Sequence, residues 1–228
     1  VGQDAEHVTV SKAGLTWLVD RRAELPPVGF QGNRPTCLSW ATSTAHDYAR
    51  QAAHSVEFLH HASRSYGRGI GSIGAVTAAL GIDGQPPEAQ WPYDASLDEV
   101  DAPPTPPATM TGPFVTAQLA AHDVSAVAIE EGLRQGFLPV VGLRVSQEFR
   151  DAAGGVLLES TPGSDGHAVV AVAVARYDGP PTRLLQHGDR LVAVRNSWSR
   201  RWGVDGHLLV GPLAWTTLVL AALLLEPS

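Results

Sequence analysis

Apolar positions recur along the first part of the chain at one spacing and along the second part at another. Leu38, Trp40, Ala41, Ala45, Tyr48 and Ala49 fall at roughly helical intervals, which predicts a helix over residues 37–53 that follows Pro35 and takes Thr36 as its N-cap. Further helices are predicted over 56–66 and over 73–80, the latter stopped by Gly81. Prolines accumulate from Gly84 to Pro113, so this segment reads as a long surface connection between two lobes. A helix over 125–135, stopped by Gly136, precedes a change to β character at 137–145, 156–159, 167–175, 191–195 and 207–210. Residues 1–30 read as irregular, extended through Leu25-Pro26-Pro27-Val28, and 213–225 as buried terminal structure. The helical-then-β order predicts one α+β domain over 1–228. Its helical lobe covers about 30–113, its β lobe about 114–212, and strapping segments lie at 1–29 and 213–228, with a substrate cleft between the lobes.

Composition narrows the partners. A 228-residue chain that is 44% hydrophobic can build a full core, and its net charge of −7 argues against nucleic acid or an anionic membrane as partner. The apolar run from Leu213 to Leu225 is shorter than the roughly eighteen residues that suggest a membrane span. One cysteine excludes an intrachain disulfide and permits a reducing compartment, so a cytoplasmic setting is slightly favoured. The chain begins at Val1, which leaves room for an upstream targeting or pro-segment. Among the sixteen basic residues fifteen are arginine, and alanine, glycine and proline are abundant, a bias that suggests a GC-rich bacterial genome.

The candidate chemistry centres on Cys37. At the first position of a predicted helix, unpaired N–H groups and the helix dipole favour a thiolate. A lone cysteine is more often a small buried hydrophobe, so the assignment requires a base and an oxyanion donor elsewhere. His167 opens an apolar strand, and Asn196 closes another. Together they offer an imidazole to hold the thiol proton and an amide to orient it. Gln31, six residues before Cys37, is placed to work with the Cys37 N–H on a developing oxyanion.

With these residues in register, the chain resembles the papain-like cysteine peptidases from about residue 19 to 225. Gln31-Gly32 and Cys37, His167-Ala168-Val169, and Asn196-Ser197-Trp198 followed by Trp202-Gly203 and Gly206 match the family's oxyanion, nucleophile, histidine and asparagine segments. Weaker matches are Gly81-Ile82, Trp91-Pro92-Tyr93 and the strand entry at 136–140. The 130 positions from Cys37 to His167 fall within, and the 159 from Cys37 to Asn196 slightly exceed, the roughly 130–150 usual there, and a loop around 179–189 is expected to absorb the excess. The resemblance implies a two-lobed papain-like fold and a cysteine endopeptidase acting on peptide or protein substrates without a cofactor or metal. Catalysis would fall to Cys37, His167, Asn196 and Gln31, with Trp198 as a lid over the His167–Asn196 bond. It also implies that Leu143, Gly166 and Ala168 wall the pocket for the residue before the scissile one, with Gly71 and Ser72 on the helical side. An apolar side chain is then preferred, unless Arg68 reaches in to admit an acidic one.

Four positions depart from the family pattern: Arg34 stands where many members carry a disulfide cysteine, and Leu38, Ser199 and His207 replace an aromatic, a glycine and an aromatic. They suggest a divergent, disulfide-free bacterial branch. His46 lies half a turn out of phase with Cys37, and His54, Glu57, His60 and His61 are read as a solvated helix face in preference to a metal site. The same chemical groups would also serve an acyl transferase or a narrow processing protease, and a non-catalytic peptide-binding module is the rival of a different kind.

Overall fold

The apolar run that follows His167, from Ala168 to Ala175, lacks the alternation of a half-exposed strand and therefore belongs where both faces are covered. The computed structural model, which describes residues 14–67, 72–98 and 104–227, makes this run the spine of the molecule as β5 (Gly166–Tyr177). Its residues from His167 to Ala175 are all buried, so neither face meets solvent. β3 (Val140–Arg144) pairs antiparallel with its first half and β1 (Leu15–Asp20) with its second half, while β6 (Arg190–Arg195) runs antiparallel beside it. The eight-stranded sheet is completed by β2 (Ala117–His122), β4 (Val156–Leu157), β7 (His207–Val210) and β8 (Val219–Pro227). Its order is β2-β8-β3-β5-β6-β7-β4, with β1 attached to β5.

The helical part consists of α1 (Cys37–Arg50), α2 (Val56–Ser63) and α3 (Ile73–Ile82), with α4 (Ala126–Arg134), α5 (Gln147–Asp151) and α6 (Pro212–Leu218) placed among the strands. α1 packs on β5, and its buried positions include Ser39, Ala41, Thr42, Ser43 and Ala45, small side chains that let the helix approach the sheet closely. Ser55, Ser72, Ser125 and Ser146 cap α2, α3, α4 and α5 by accepting from the backbone N–H three residues on. A connection over 178–189 joins β5 to β6.

Several expectations change. Residues 15–20 are not irregular but form β1, and the terminal apolar run divides into α6 and β8, with β8 lying between β2 and β3. β2, Ala-Gln-Leu-Ala-Ala-His, carries no β-branched residue. Pairing with β8 along all six positions overrides its weak propensity. The first two helices end earlier than expected, at Arg50 and Ser63, and α1 closes on Gln51 in the left-handed conformation (φ 53°). Nor is the proline-rich connection all surface. Gln85 is fully buried, pairs through its backbone with Val115, and donates from its side chain to Ser43 Oγ and the Ser55 carbonyl. Its Oε1 meets His46 Nδ1 at 2.9 Å.

The predicted solvated face of His54, Glu57 and His60 is also buried. His54 stacks on His46 and bonds Asp47 through Nδ1, and Glu57 is taken up by Arg34. Among the described residues, no helix is long and apolar enough to cross a membrane.

Because Gln85 ties α1, the α2 cap and the connection to one another, Gln85→Ala should leave buried partners unsatisfied and cost about 3 kcal/mol, read as a lower denaturant midpoint with unchanged slope.

Candidate active site

Cys37 begins α1 and is half-buried. Thr36 precedes it but does not cap the helix, because its hydroxyl is engaged by the Tyr93 hydroxyl at 2.7 Å. Tyr93 in turn donates to the Gln31 carbonyl at 2.8 Å, so the only proton in the Thr36–Tyr93 contact comes from Thr36. Burial raises the Cys37 thiol pKa, and backbone N–H groups of Ala168, Leu38 and Cys37 itself oppose that shift without overcoming it. The helix N-terminus thus contributes as expected, but desolvation outweighs it and the thiol taken alone is not a resting thiolate.

His167 occupies the start of β5, directly opposite Leu143 of β3. Its Nε2 lies 2.7 Å from Asn196 Oδ1, which also accepts from the Ser197 N–H at 2.8 Å. An amide oxygen can only accept, so Nε2 carries the proton and Nδ1 of the neutral ring is the basic atom. Phe149, Trp198 and Trp202 gather around this bond, with the Trp198 ring 4.5 Å from the imidazole centroid to centroid. Burial pushes the His167 pKa down to about 4, partly opposed by the bond to Asn196 and aided by the charge of Arg150. The aromatic enclosure therefore keeps the imidazole neutral and ready to accept a proton.

Gln31 is held on both ends of its amide. Ser197 Oγ donates to Oε1 at 2.6 Å, and Nε2 donates one proton to the Arg34 carbonyl at 2.7 Å, which leaves its second proton unassigned. The backbone joins the same segments: the Gln31 N–H donates to the Ser197 carbonyl, Phe30 bridges Trp198, and the Ser199 N–H donates to the Gly29 carbonyl. Gly32 adopts φ +66°, and a Cβ there would come within 2.3 Å of the Ala95 carbonyl oxygen, so this turn requires glycine. Ser199 sits at φ 73° in the left-handed region, which accounts for the glycine usual at that place.

Arg34 anchors this turn from below. Its side chain is fully buried, its two terminal nitrogens reach the Glu57 carboxylate at 2.6 and 2.5 Å, one also donates to the Asp94 carbonyl, and the guanidinium lies 4.6 Å from the Tyr93 ring centroid. A buried bidentate ion pair thus occupies the position where the family pattern has a disulfide cysteine.

Gln31, Cys37 and His167 line one cleft of about 600 Å³ together with Leu143, Gly166, Ala168 and Trp198, and Asn196 lies behind His167. Ser72 does not join them. It is exposed, with its hydroxyl on the Ala75 N–H, and the neighbouring Ile73 lines the cleft instead. Gly71 and Arg68 lie outside the described residues. Leu220, Ala221 and Leu223 of β8 also form the wall, which sequence reasoning missed because that run looked like terminal packing. Phe149, Ser197 and Arg150 were missed too, although the position of Ser197 between Asn196 and Trp198 was a usable signal. His46 is buried away from the cleft, its pKa lowered to about 4 by burial.

Glu57→Gln should leave the buried Arg34 charge without its partner and lower unfolding free energy by about 3–5 kcal/mol, measured by chemical denaturation.

No protein-family model matches the chain, and no curated protein sequence matches it. Solved structures do. Xylellain, a cysteine protease from Xylella fastidiosa, aligns at TM-score 0.70 and 18% identity over 100% of this chain and 91% of its own. The Carica candamarcensis cysteine protease CMS1MS2, solved in complex with E-64, aligns at 0.69 and 18% over 94% of this chain and 99% of its own. Digestive procathepsin L 3 of the Tenebrio molitor larval midgut aligns at 0.67 and 17% over 96% and 71%. With a helical part packed on an eight-stranded sheet and this likeness along its whole length, the chain has the fold of the papain-like cysteine proteases.

Proposed function

We propose that this protein is a cysteine endopeptidase that hydrolyses peptide bonds by acyl transfer through Cys37, His167, Asn196 and Gln31. The observation that carries the reading is the 2.7 Å contact of His167 Nε2 with Asn196 Oδ1. It fixes the tautomer whose Nδ1 can take the Cys37 proton, in a cleft that both side chains line. The full-length likeness to cysteine proteases agrees with it.

In this reading the Cys37 proton passes to His167 Nδ1 as Sγ attacks the substrate carbonyl carbon. Neither group is charged by itself, so charge appears as a pair during the reaction, where thiolate and imidazolium stabilise each other. The carbonyl oxygen, now negative, is met by the Gln31 Nε2–H that Arg34 does not use and by the Cys37 N–H, one of the helix donors without an intrahelical acceptor. The tetrahedral species collapses, the C–N bond breaks, and His167 gives its proton to the departing amine. A water then loses a proton to His167 as it attacks the thioester, and the thiol is regenerated with release of the acid.

Leu143, Ala168, Ile73, Leu220 and Leu223 make the acyl side of the cleft apolar, which supports selection of an aliphatic or aromatic side chain before the scissile residue. A charged side chain there would lose hydration without a partner.

Two measurements test the mechanism. Because His167 must be neutral to accept the thiol proton and its pKa lies at about 4, kcat/KM for a fluorogenic peptide should hold on acidification until about pH 5 and then fall through about pH 4. A decline centred near the ordinary histidine value of about 6.5 would contradict the assignment. Gln31→Ala should lower kcat by roughly a hundredfold or more while the folded state persists by circular dichroism. Failure of Cys37 to react with a peptidyl epoxide would instead support a binding module, and products joined to an added amine would indicate transfer in place of hydrolysis.

A further inference from the structure

The cleft has an uneven distribution of charge. Among its described lining residues only two are cationic, Arg34 and Arg150, and they differ in availability. The Arg34 side chain is wholly buried against Glu57, whereas that of Arg150 on α5 is 43% exposed. No carboxylate is among the described lining residues.

The position of Arg150 relative to the reacting groups follows from two ring contacts and one electrostatic effect. Trp198 lies against the His167 ring, the Arg150 guanidinium carbon lies 5.9 Å from the Trp198 ring centroid, and the Arg150 charge acts on His167 itself. In the proposed reaction, His167 protonates the departing amine, so the residue following the scissile bond must lie on the His167 side, over Trp198. The apolar wall built from Leu143, Leu220 and Leu223 is left for the acyl side. α5 is also fastened where it stands: Ser146 caps it, and the Trp202 indole N–H lies 3.2 and 3.1 Å from the Phe149 and Arg150 carbonyls.

Building on the endopeptidase reading, we propose that Arg150 is a specificity-determining residue that recognises a carboxylate on the first residue after the scissile bond. The preferred substrate is then a peptide that is apolar before the scissile residue and acidic immediately after the cut. Asp165 is the existing partner of Arg150, at 2.8 Å, with side chains 43% and 67% exposed. A solvent-exposed pair of this kind is held weakly, so a substrate carboxylate can share or replace it, and Asp165 moderates the preference. The chain's net charge of −7 repels acidic peptides in general, so the selectivity comes from this one cation and weakens as salt screens it.

The test uses two fluorogenic peptides identical except for Glu or Gln at the residue after the scissile bond, with the cleavage site checked by mass spectrometry. The wild type should show a Glu-to-Gln ratio of kcat/KM of about fivefold at low salt, falling as salt is raised. Arg150→Gln should bring that ratio to one or below, and Asp165→Asn should raise it above the wild-type value. Equal cleavage of both peptides by the wild type, or a preference for Glu that survives in Arg150→Gln, would overturn the assignment. Absence of cleavage of either peptide, with Cys37 unreactive toward a peptidyl epoxide, would remove the endopeptidase reading and the Arg150 assignment with it. The Glu-to-Gln comparison separates that result from a failure of specificity alone.

Discussion

The site depends on a short antiparallel join between residues 29–31 and 197–199, two stretches that are distant in sequence and come from opposite ends of the fold. Backbone bonds from the Gln31 N–H to the Ser197 carbonyl and from the Ser199 N–H to the Gly29 carbonyl bring the segment before α1 against the segment after β6. The Ser197 hydroxyl then fixes which end of the Gln31 amide is oxygen. The Ser197 N–H does the same for Asn196 by donating to Oδ1, and Asn196 fixes the tautomer of His167. One serine between Asn196 and Trp198 thus orients both amides. Without the join, each group would be present but not aimed.

Burial operates in two different ways around this join. Under Gln31, it encloses an ion pair: Arg34 and Glu57 are both removed from water and are compatible with the interior because each satisfies the other. The pair holds the Gln31–Thr36 turn to α2, which in a chain with a single cysteine no disulfide can do. Around His167, burial encloses a neutral group, and Phe149, Trp198 and Trp202 make protonation costly. Desolvation also raises the Cys37 pKa, so these two groups, which line one cleft, are both held uncharged. A site arranged this way is suited to chemistry in which charge separates only when a substrate is present to use it.

The residues proposed to carry the chemistry were legible in the sequence because each bears a group that few side chains can supply. The lone cysteine, the Gln31 spacing, and the histidine and asparagine at strand ends needed no coordinates to be noticed. The α1, α4, β5 and β6 regions were legible for a related reason, since their apolar periods are long and bounded by proline, glycine or polar caps. β2 and β8 were not. Alanine and leucine fit a helix as readily as a strand, and only their mutual pairing decides between the two. The burial of His54, Glu57 and His60 was hidden because a polar side chain advertises solvent unless its partner is known, and their partners or covers lie on other elements.

By itself the sequence determined the α+β order of the chain, the identity of the candidate nucleophile, base and amides, and the exclusion of an intrachain disulfide. These follow from local periodicity and from functional groups, which are properties of single residues and their near neighbours. Tertiary structure alone decided that the Cys37 thiol is raised and not lowered, because desolvation depends on everything packed around the sulfur and not on its place in a helix. It decided also that Arg34 is paired, that β8 walls the cleft, and that Arg150 stands as an exposed cation of the cleft among the described residues. Each of these is a relation between segments far apart in the chain, and such relations exist only once the sheet has brought the segments together.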